Sequence, residues 1–214
     1  MSGIPIVNDL TILAMPDSLP YAPPQADALT VDAISFSYPN GHPVFNAFSL
    51  NAKPGEFVAI LGPSGCGKTT LLNLLSGFQQ PQSGQISINQ TAVRPERSEL
   101  GYVFQAPQLF PWLSALENVR FGLRMTAQLS EGQQRVQALQ YLRLVGLESA
   151  AQRLPHQLSG GMQQRVSLAR TLALEPSVLL MDEPFAALDA ISRNSMNEET
   201  LRIWAELGQT VLFI

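Results

Sequence analysis

An α/β fold follows from three features of the sequence. An apolar strand, a glycine loop and a helix succeed one another at residues 57–76. Alternating strand patterns lie on both sides of that stretch. A helix-rich segment of about fifty residues is set into the otherwise alternating chain, which reads as an inserted helical subdomain.

Before the glycine loop, Ile34, Phe36 and Tyr38 alternate with serines, and Phe48, Leu50 and Ala52 alternate after a turn at Pro39-Asn40-Gly41. The two runs predict a pair of antiparallel strands. Tyr38 closes the first of them, where its ring either stacks on a purine base or is an ordinary strand aromatic. Phe57 to Leu61 then form a five-residue apolar run that predicts a buried strand.

The loop itself is Gly62-Pro63-Ser64-Gly65-Cys66-Gly67-Lys68-Thr69, followed by Thr70 and by Leu71, Leu72, Leu74 and Leu75 at helical spacing. This is the G-x-x-x-x-G-K-[ST] spacing of a phosphate-binding loop in the strand-and-helix context it requires. Glycines let the backbone curl and aim its N–H groups at a triphosphate, and the helix adds unpaired N-terminal donors and the positive end of its dipole. Lys68 supplies an ammonium for the outer phosphates, and the Thr69 hydroxyl is suited to Mg²⁺. A glycine turn that merely joins strand to helix is the weaker reading, given those flanks.

Further along, Gln85 to Asn89 alternate as a strand, and Gly101 to Phe104 form another that ends at Gln105. Gln105 is either an oxygen ligand near a metal or water, or a solvated loop glutamine. Beyond it, Leu116, Val119 and Leu123 predict one helix, and Val136, Leu139, Leu142 and Val145 a second that ends at Gly146. Phe110 and Trp112, at the start of this insert, are either core residues or exposed anchors for a partner.

Leu158 to Arg165 read LSGGMQQR. Ser159 is a good helix cap, and Gly160 and Gly161 allow a ligand close to the first turn. This is a second anion-binding helix start. It would crowd the phosphates held by Lys68, which points to a nucleotide held by another subunit. Val178 to Met181 then predict a buried strand tipped by Asp182 and Glu183. Asp182 can hold Mg²⁺ opposite Thr69, and Glu183 can polarise an attacking water. Leu188-Asp189 form a short turn beyond.

These motifs resemble, in order, the ATPase subunit of an ATP-binding cassette transporter. Residues 62–69 match Walker A, Gln105 the Q-loop, 158–165 the signature, 178–183 Walker B and 187–190 the D-loop with Asp189. Tyr38 matches the aromatic position that stacks on adenine. The resemblance implies a P-loop NTPase (RecA-like) core with an inserted helical subdomain and an antiparallel β subdomain. Its expected divisions are a Pro-rich disordered leader at 1–27, the first part of the core at 28–105, the helical subdomain at 106–158, and the rest of the core at 159–214. It also implies ATP and Mg²⁺ as ligands, Mg²⁺ being organised by Thr69, Gln105 and Asp182. Lys68 and Glu183 are the catalytic candidates, while Ser159, Gly160, Gly161 and Gln163 would act on a second subunit's nucleotide.

Within the family, Gly62 to Phe78, Gly101 to Val119 and Met181 to Arg193 are similar to importers of nitrate, aliphatic sulfonates and taurine, notably in Pro111-Trp112. That likeness implies a homodimer of ATPases beneath two transmembrane permease subunits, with an extracytoplasmic solute-binding protein. Phe110 and Trp112 would contact the permease, and the protein would sit at the cytoplasmic face of the inner membrane.

Composition bounds the alternatives. Net charge is −4 with no basic block, which does not indicate a nucleic-acid partner. The single cysteine, Cys66, excludes an intramolecular disulfide. No apolar run approaches the roughly 20 residues of a membrane span. The family's Thr-His-Asp would follow Ile214, and neither His42 nor His156 fills the histidine's role, so the expectation is a truncated chain that binds ATP better than it hydrolyses it, with an exposed sheet edge. A regulatory nucleotide binder and a soluble cassette ATPase uncoupled from transport are the competing classes; a P-loop kinase has no use for LSGGMQQR.

Overall fold

The computed structural model describes residues 10–14, 27–39, 41, 43–94, 99–125 and 129–214. It divides into two compact units: 1–100 with 177–182 and 208–214, and 101–176 with 183–207. His42, Asn40 and most of the expected leader lie outside the described residues.

The first unit holds two sheets. In the smaller one, β2 (Leu29–Ser37) lies between β3 (Pro43–Ala52) and β5 (Ser83–Ile88), and β6 (Thr91–Ala92) completes the order β3-β2-β5-β6. All of its pairings are antiparallel. Leu29, Val31, Ile34, Phe36 and Phe45 are buried. The register of β2 against β3 shifts three times, and Ala33 (φ +47°) and Ala47 (φ +51°) carry left-handed backbone near those shifts. The serines are not merely solvent-facing: Ser49 Oγ accepts from the Ala33 amide at 3.0 Å, and Ser35 Oγ accepts from Ala47 at 3.1 Å. Side-chain oxygens thus replace ladder partners at the bulges.

Within the first unit, strands of the larger sheet run in the order β1 (Thr11–Ala14), β4 (Phe57–Leu61), β9 (Thr210–Phe213), β8 (Val178–Met181). β4, β9 and β8 are parallel, so their carboxyl ends share one edge. Helix α1 (Lys68–Leu75) follows β4, with Leu71, Leu72, Leu74 and Leu75 all buried. One expectation changes here. Thr11–Ala14, expected within a disordered leader, form β1. They pair antiparallel with β4 from Thr11 opposite Leu61 to Ala14 opposite Val58. Neither β4 nor β9 is an edge strand: β4 has β1 and β9 as neighbours, β9 lies between β4 and β8, and β1 forms the edge on that side.

β7 (Leu100–Val103) crosses from the first unit into the second. The second unit contains α2 (Ala115–Met125), α3 (Glu131–Leu144), α4 (Gly160–Leu172) and α5 (Ala190–Leu207). α2 and α3 pack on each other and on α4. Ser130 and Gln133 form a reciprocal capping box at the start of α3, and Gly146 (φ +70°) follows its end. Helix α3 meets the predicted apolar face toward its carboxyl end, where Leu142 and the following Val145 are buried, but not at its start. Its buried side chains are Gln134, Ala138, Tyr141 and Leu142, while Val136 is 67% exposed. Among the described residues, no helix is long and apolar enough to cross a membrane.

Candidate functional site

In the first unit, the sequence builds the site by exhausting a strand. β4 ends at Leu61, and the chain turns through the glycine loop directly into α1. Gly65 and Gly67 take φ of +82° and +102°, conformations that side chains resist. A Cβ on Gly67 would lie 2.7 Å from Val44 Cγ1, so that glycine is required by space as well as by angle. Gly62 is not left-handed and contributes differently: its carbonyl accepts from Lys68 Nζ at 3.0 Å, as the Pro63 carbonyl does at 3.1 Å. The ammonium is thereby folded over the loop. Gly67 is the N-cap of α1 with no side-chain cap, which leaves first-turn donors to a ligand.

Two side chains converge on this loop from elsewhere in the first unit. Thr69 Oγ1 donates to Asp182 Oδ1 at 3.3 Å, because β4 and β8 both point their carboxyl ends at the same edge. Asp182 extends from a strand in which all four residues are buried. A hydroxyl and a carboxylate oxygen at one point form a donor set of the hard kind that Mg²⁺ takes. The Tyr38 hydroxyl lies 2.9 Å from Thr70 Oγ1, while its ring stands edge-on to Phe36 at 5.2 Å and is 36% exposed. The tyrosine is tethered beside the first turn of α1 with part of its ring open to solvent.

The border between the units passes between Asp182 and Glu183. Glu183 is exposed and takes φ +42°, an uncommon angle for a glutamate, at the head of a turn in which its carbonyl accepts from the Ala186 amide. Asp189 accepts at Oδ1 from the amides of Ile191 and Ser192 at 3.1 and 3.0 Å, capping α5. Hydrogen bonds from Ser192, side chain and backbone, hold its carboxyl below the ordinary value.

Ser159 caps α4, its Oγ accepting from the Met162 amide at 3.3 Å, and Gly160 is exposed. A Cβ on Gly161 would meet only Leu188 Cδ2 at 3.9 Å, so the D-loop leucine lies beside the signature turn. Gln163 has an internal role: its amide donates to the carbonyls of Pro155 (3.0 Å) and Leu158 (3.2 Å) and shapes the approach to Ser159. Arg165 pairs with Glu199 at 2.6 Å and ties α4 to α5. Gln105 is exposed on the bend after β7.

Phe110 is half-buried with its ring 4.4 Å from Phe121, whereas Trp112 is 72% exposed. Asn118, which the helical pattern passed over, is fully buried and holds this loop. It accepts from the Phe110 amide at 2.8 Å and donates to the carbonyls of Phe110, Leu113 and Ser114. An asparagine amid Leu116, Val119 and Leu123 was the available signal, since a buried amide must be satisfied. Met162, Arg153 and Ser192 help line a cavity of about 530 Å³ beside Ser159.

A glycine loop between a parallel strand and a helix, with a lysine folded over it and a Thr–Asp pair at its mouth, defines a nucleotide-phosphate site of the P-loop class. The family model for ABC transporters matches residues 45–186. The taurine import ATP-binding protein TauB of Chromobacterium violaceum is 50% identical over 188 residues, which is 87% of this chain and 72% of that protein. The bicarbonate transport ATP-binding protein CmpD of a Synechocystis strain is 41% identical, over 94% of this chain and 73% of that one. Among solved structures, CbiO1 from Clostridium perfringens, part of the ABC transporter complex CbiONQ, superposes with a TM-score of 0.80 at 32% identity, covering 88% of this chain and 78% of its own. A dimeric ATP-binding cassette in a post-hydrolysis state with ADP and Pi gives 0.74 at 34% identity, with 86% of each chain covered. The chain belongs to the ABC transporter family, as an ATP-binding cassette ATPase.

Proposed function

We propose that this ATPase energises an importer of a small anion, taurine or another aliphatic sulfonate in first place and nitrate in second. The observation that carries the ATP site is the Thr69–Asp182 contact at the mouth of the Lys68 loop. The likeness to TauB supports the direction of transport and the solute class. Two copies would work beneath two permease subunits at the cytoplasmic face of the inner membrane, a solute-binding protein delivering substrate from outside. Residues 106–158 would serve as the helical subdomain that meets the permease, with Trp112 and the Phe110 edge as contacts.

In this reading, Tyr38 stacks on the adenine, and the loop N–H groups from Ser64 to Thr70 hold the phosphates. Lys68 releases its two carbonyls to neutralise the outer phosphates. Thr69, Asp182 and Gln105 would hold Mg²⁺, which supplies charge neutralisation on the phosphate oxygens. Glu183 orients water for in-line attack on the γ-phosphorus; the P–O bond to ADP breaks, and the water's proton passes toward the carboxylate. Ser159, Gly160, Gly161 and Gln163 of the second copy close over the same nucleotide, and Asp189 lies where the copies sense one another. Positioning and charge stabilisation supply most of the rate in such phosphoryl transfers.

The test is co-purification of the tagged chain from its source cells, then reconstitution of what it brings down in proteoliposomes. ATP turnover that taurine stimulates through a binding protein supports the proposal. Stimulation by bicarbonate alone would correct the solute. Recovery without any membrane subunit would instead favour a cassette ATPase uncoupled from transport.

A further inference from the structure

Gln105 sits on a segment with little secondary structure, yet that segment is tied to α4 along its whole length. Thr171 Oγ1 lies 3.4 Å from the Tyr102 carbonyl, and the buried Gln164 amide donates to the Phe104 carbonyl at 3.0 Å. Arg170 reaches furthest: its guanidinium donates to the carbonyl of Gln108 at 2.8 Å and of Pro107 at 3.3 Å. Among the described residues no carboxylate pairs with Arg170, although burial pushes its pKa down. A half-buried guanidinium that takes two backbone carbonyls instead of an acid is committed to holding backbone. The backbone it holds is strained, with Gln108 at φ +45°. Arg170 lies in the last turn of α4, where the helix dipole also favours a cation.

We infer that Arg170 is a positioning residue that locks the 104–108 arm onto α4 and so fixes Gln105 relative to the Ser159–Gly161 end of the same helix. The inference rests on the proposed role of Gln105 toward nucleotide-bound Mg²⁺. Arg170 and Gln164 act by holding the chain on either side of Gln105. A lysine presents its donors from a single rotating nitrogen and lacks the planar fork whose two nitrogens each take one of these carbonyls.

The experiment uses the full chain with Arg170→Ala, Arg170→Lys and Gln105→Ala. Amide hydrogen exchange across 104–109 is expected to rise about tenfold in Arg170→Ala, with a smaller rise in Arg170→Lys and the rest of α4 unchanged. Turnover should fall about tenfold while KM for ATP moves less than about twofold, as expected when an arm is misplaced but nucleotide binding is spared. The Arg170→Ala, Gln105→Ala double variant should be no slower than Gln105→Ala alone. Unchanged exchange at 104–109, or effects that multiply in the double variant, would overturn the inference. If Gln105→Ala alone leaves the Mg²⁺ dependence of nucleotide binding untouched, the Gln105 reading fails, and the exchange data still decide whether Arg170 holds the arm.

Discussion

Two helix starts in this chain are both suited to anions, and they are built in opposite ways. α1 begins at a left-handed glycine with no side-chain cap, whereas α4 begins at a serine whose hydroxyl accepts from its own first turn. The first leaves its donors open and places a lysine over them; the second satisfies one donor internally and relies on bare glycines for approach. The difference teaches which start commits to a ligand within its own unit. An uncapped start has unmet hydrogen-bonding capacity that a phosphate fulfils. A capped start is stable alone and suits an occasional contact, such as a nucleotide carried by a second copy.

Gly67→Ala should break the comparison most severely. It forces a side chain into φ +102° against Val44. The expected loss is about 1–3 kcal/mol of stability, seen by denaturant titration, together with about tenfold weaker nucleotide binding. Ser159→Ala should cost about 1 kcal/mol by the same titration. It should leave nucleotide binding by the isolated chain unchanged while slowing turnover in the assembled dimer. Weaker nucleotide binding by the monomeric variant would remove the distinction between the two starts.

A third helix start sharpens the contrast through pH. Asp189 caps α5 with its carboxyl held below the ordinary 3.8 by Ser192. A depressed folded value means the cap contributes fully above pH 3.8 and is lost as pH falls through the lower folded value. Hydrogen exchange at residues 190–193 should therefore rise at the acid end of that window in the natural chain, and be high and flat in Asp189→Ala. The smallest effect is expected at Val136→Lys, within about 0.5 kcal/mol by thermal melting, because the side chain is already in water.

The phosphate loop was legible because its chemistry is contiguous: eight residues carry the glycines, the lysine and the hydroxyl, and their flanks announce strand and helix. Asp182 was legible for the same reason, at the tip of four apolar residues. Asn118 and Arg170 were not, since each acts on carbonyls or amides whose identity depends on which loop packs beside it. The first turns of α3 also escaped, because Gln134 is buried while Val136 is exposed, and hydrophobicity alone ranks them the other way. The bulges that the serines of β2 and β3 mend arise from strand pairing, and periodicity contains no sign of them.

By itself, then, the sequence determined the fold class, the order of the motifs and the place of the glycine loop between its strand and helix, all of which are local patterns with local physical causes. Only the tertiary structure decided that Thr69 meets Asp182, that Tyr38 is tethered to Thr70, and that β1 covers the edge of β4. Those facts join residues as far as 113 positions apart. They follow from parallel pairing through β9 and from the need of every buried amide and carbonyl for a partner, which no single stretch of chain can supply.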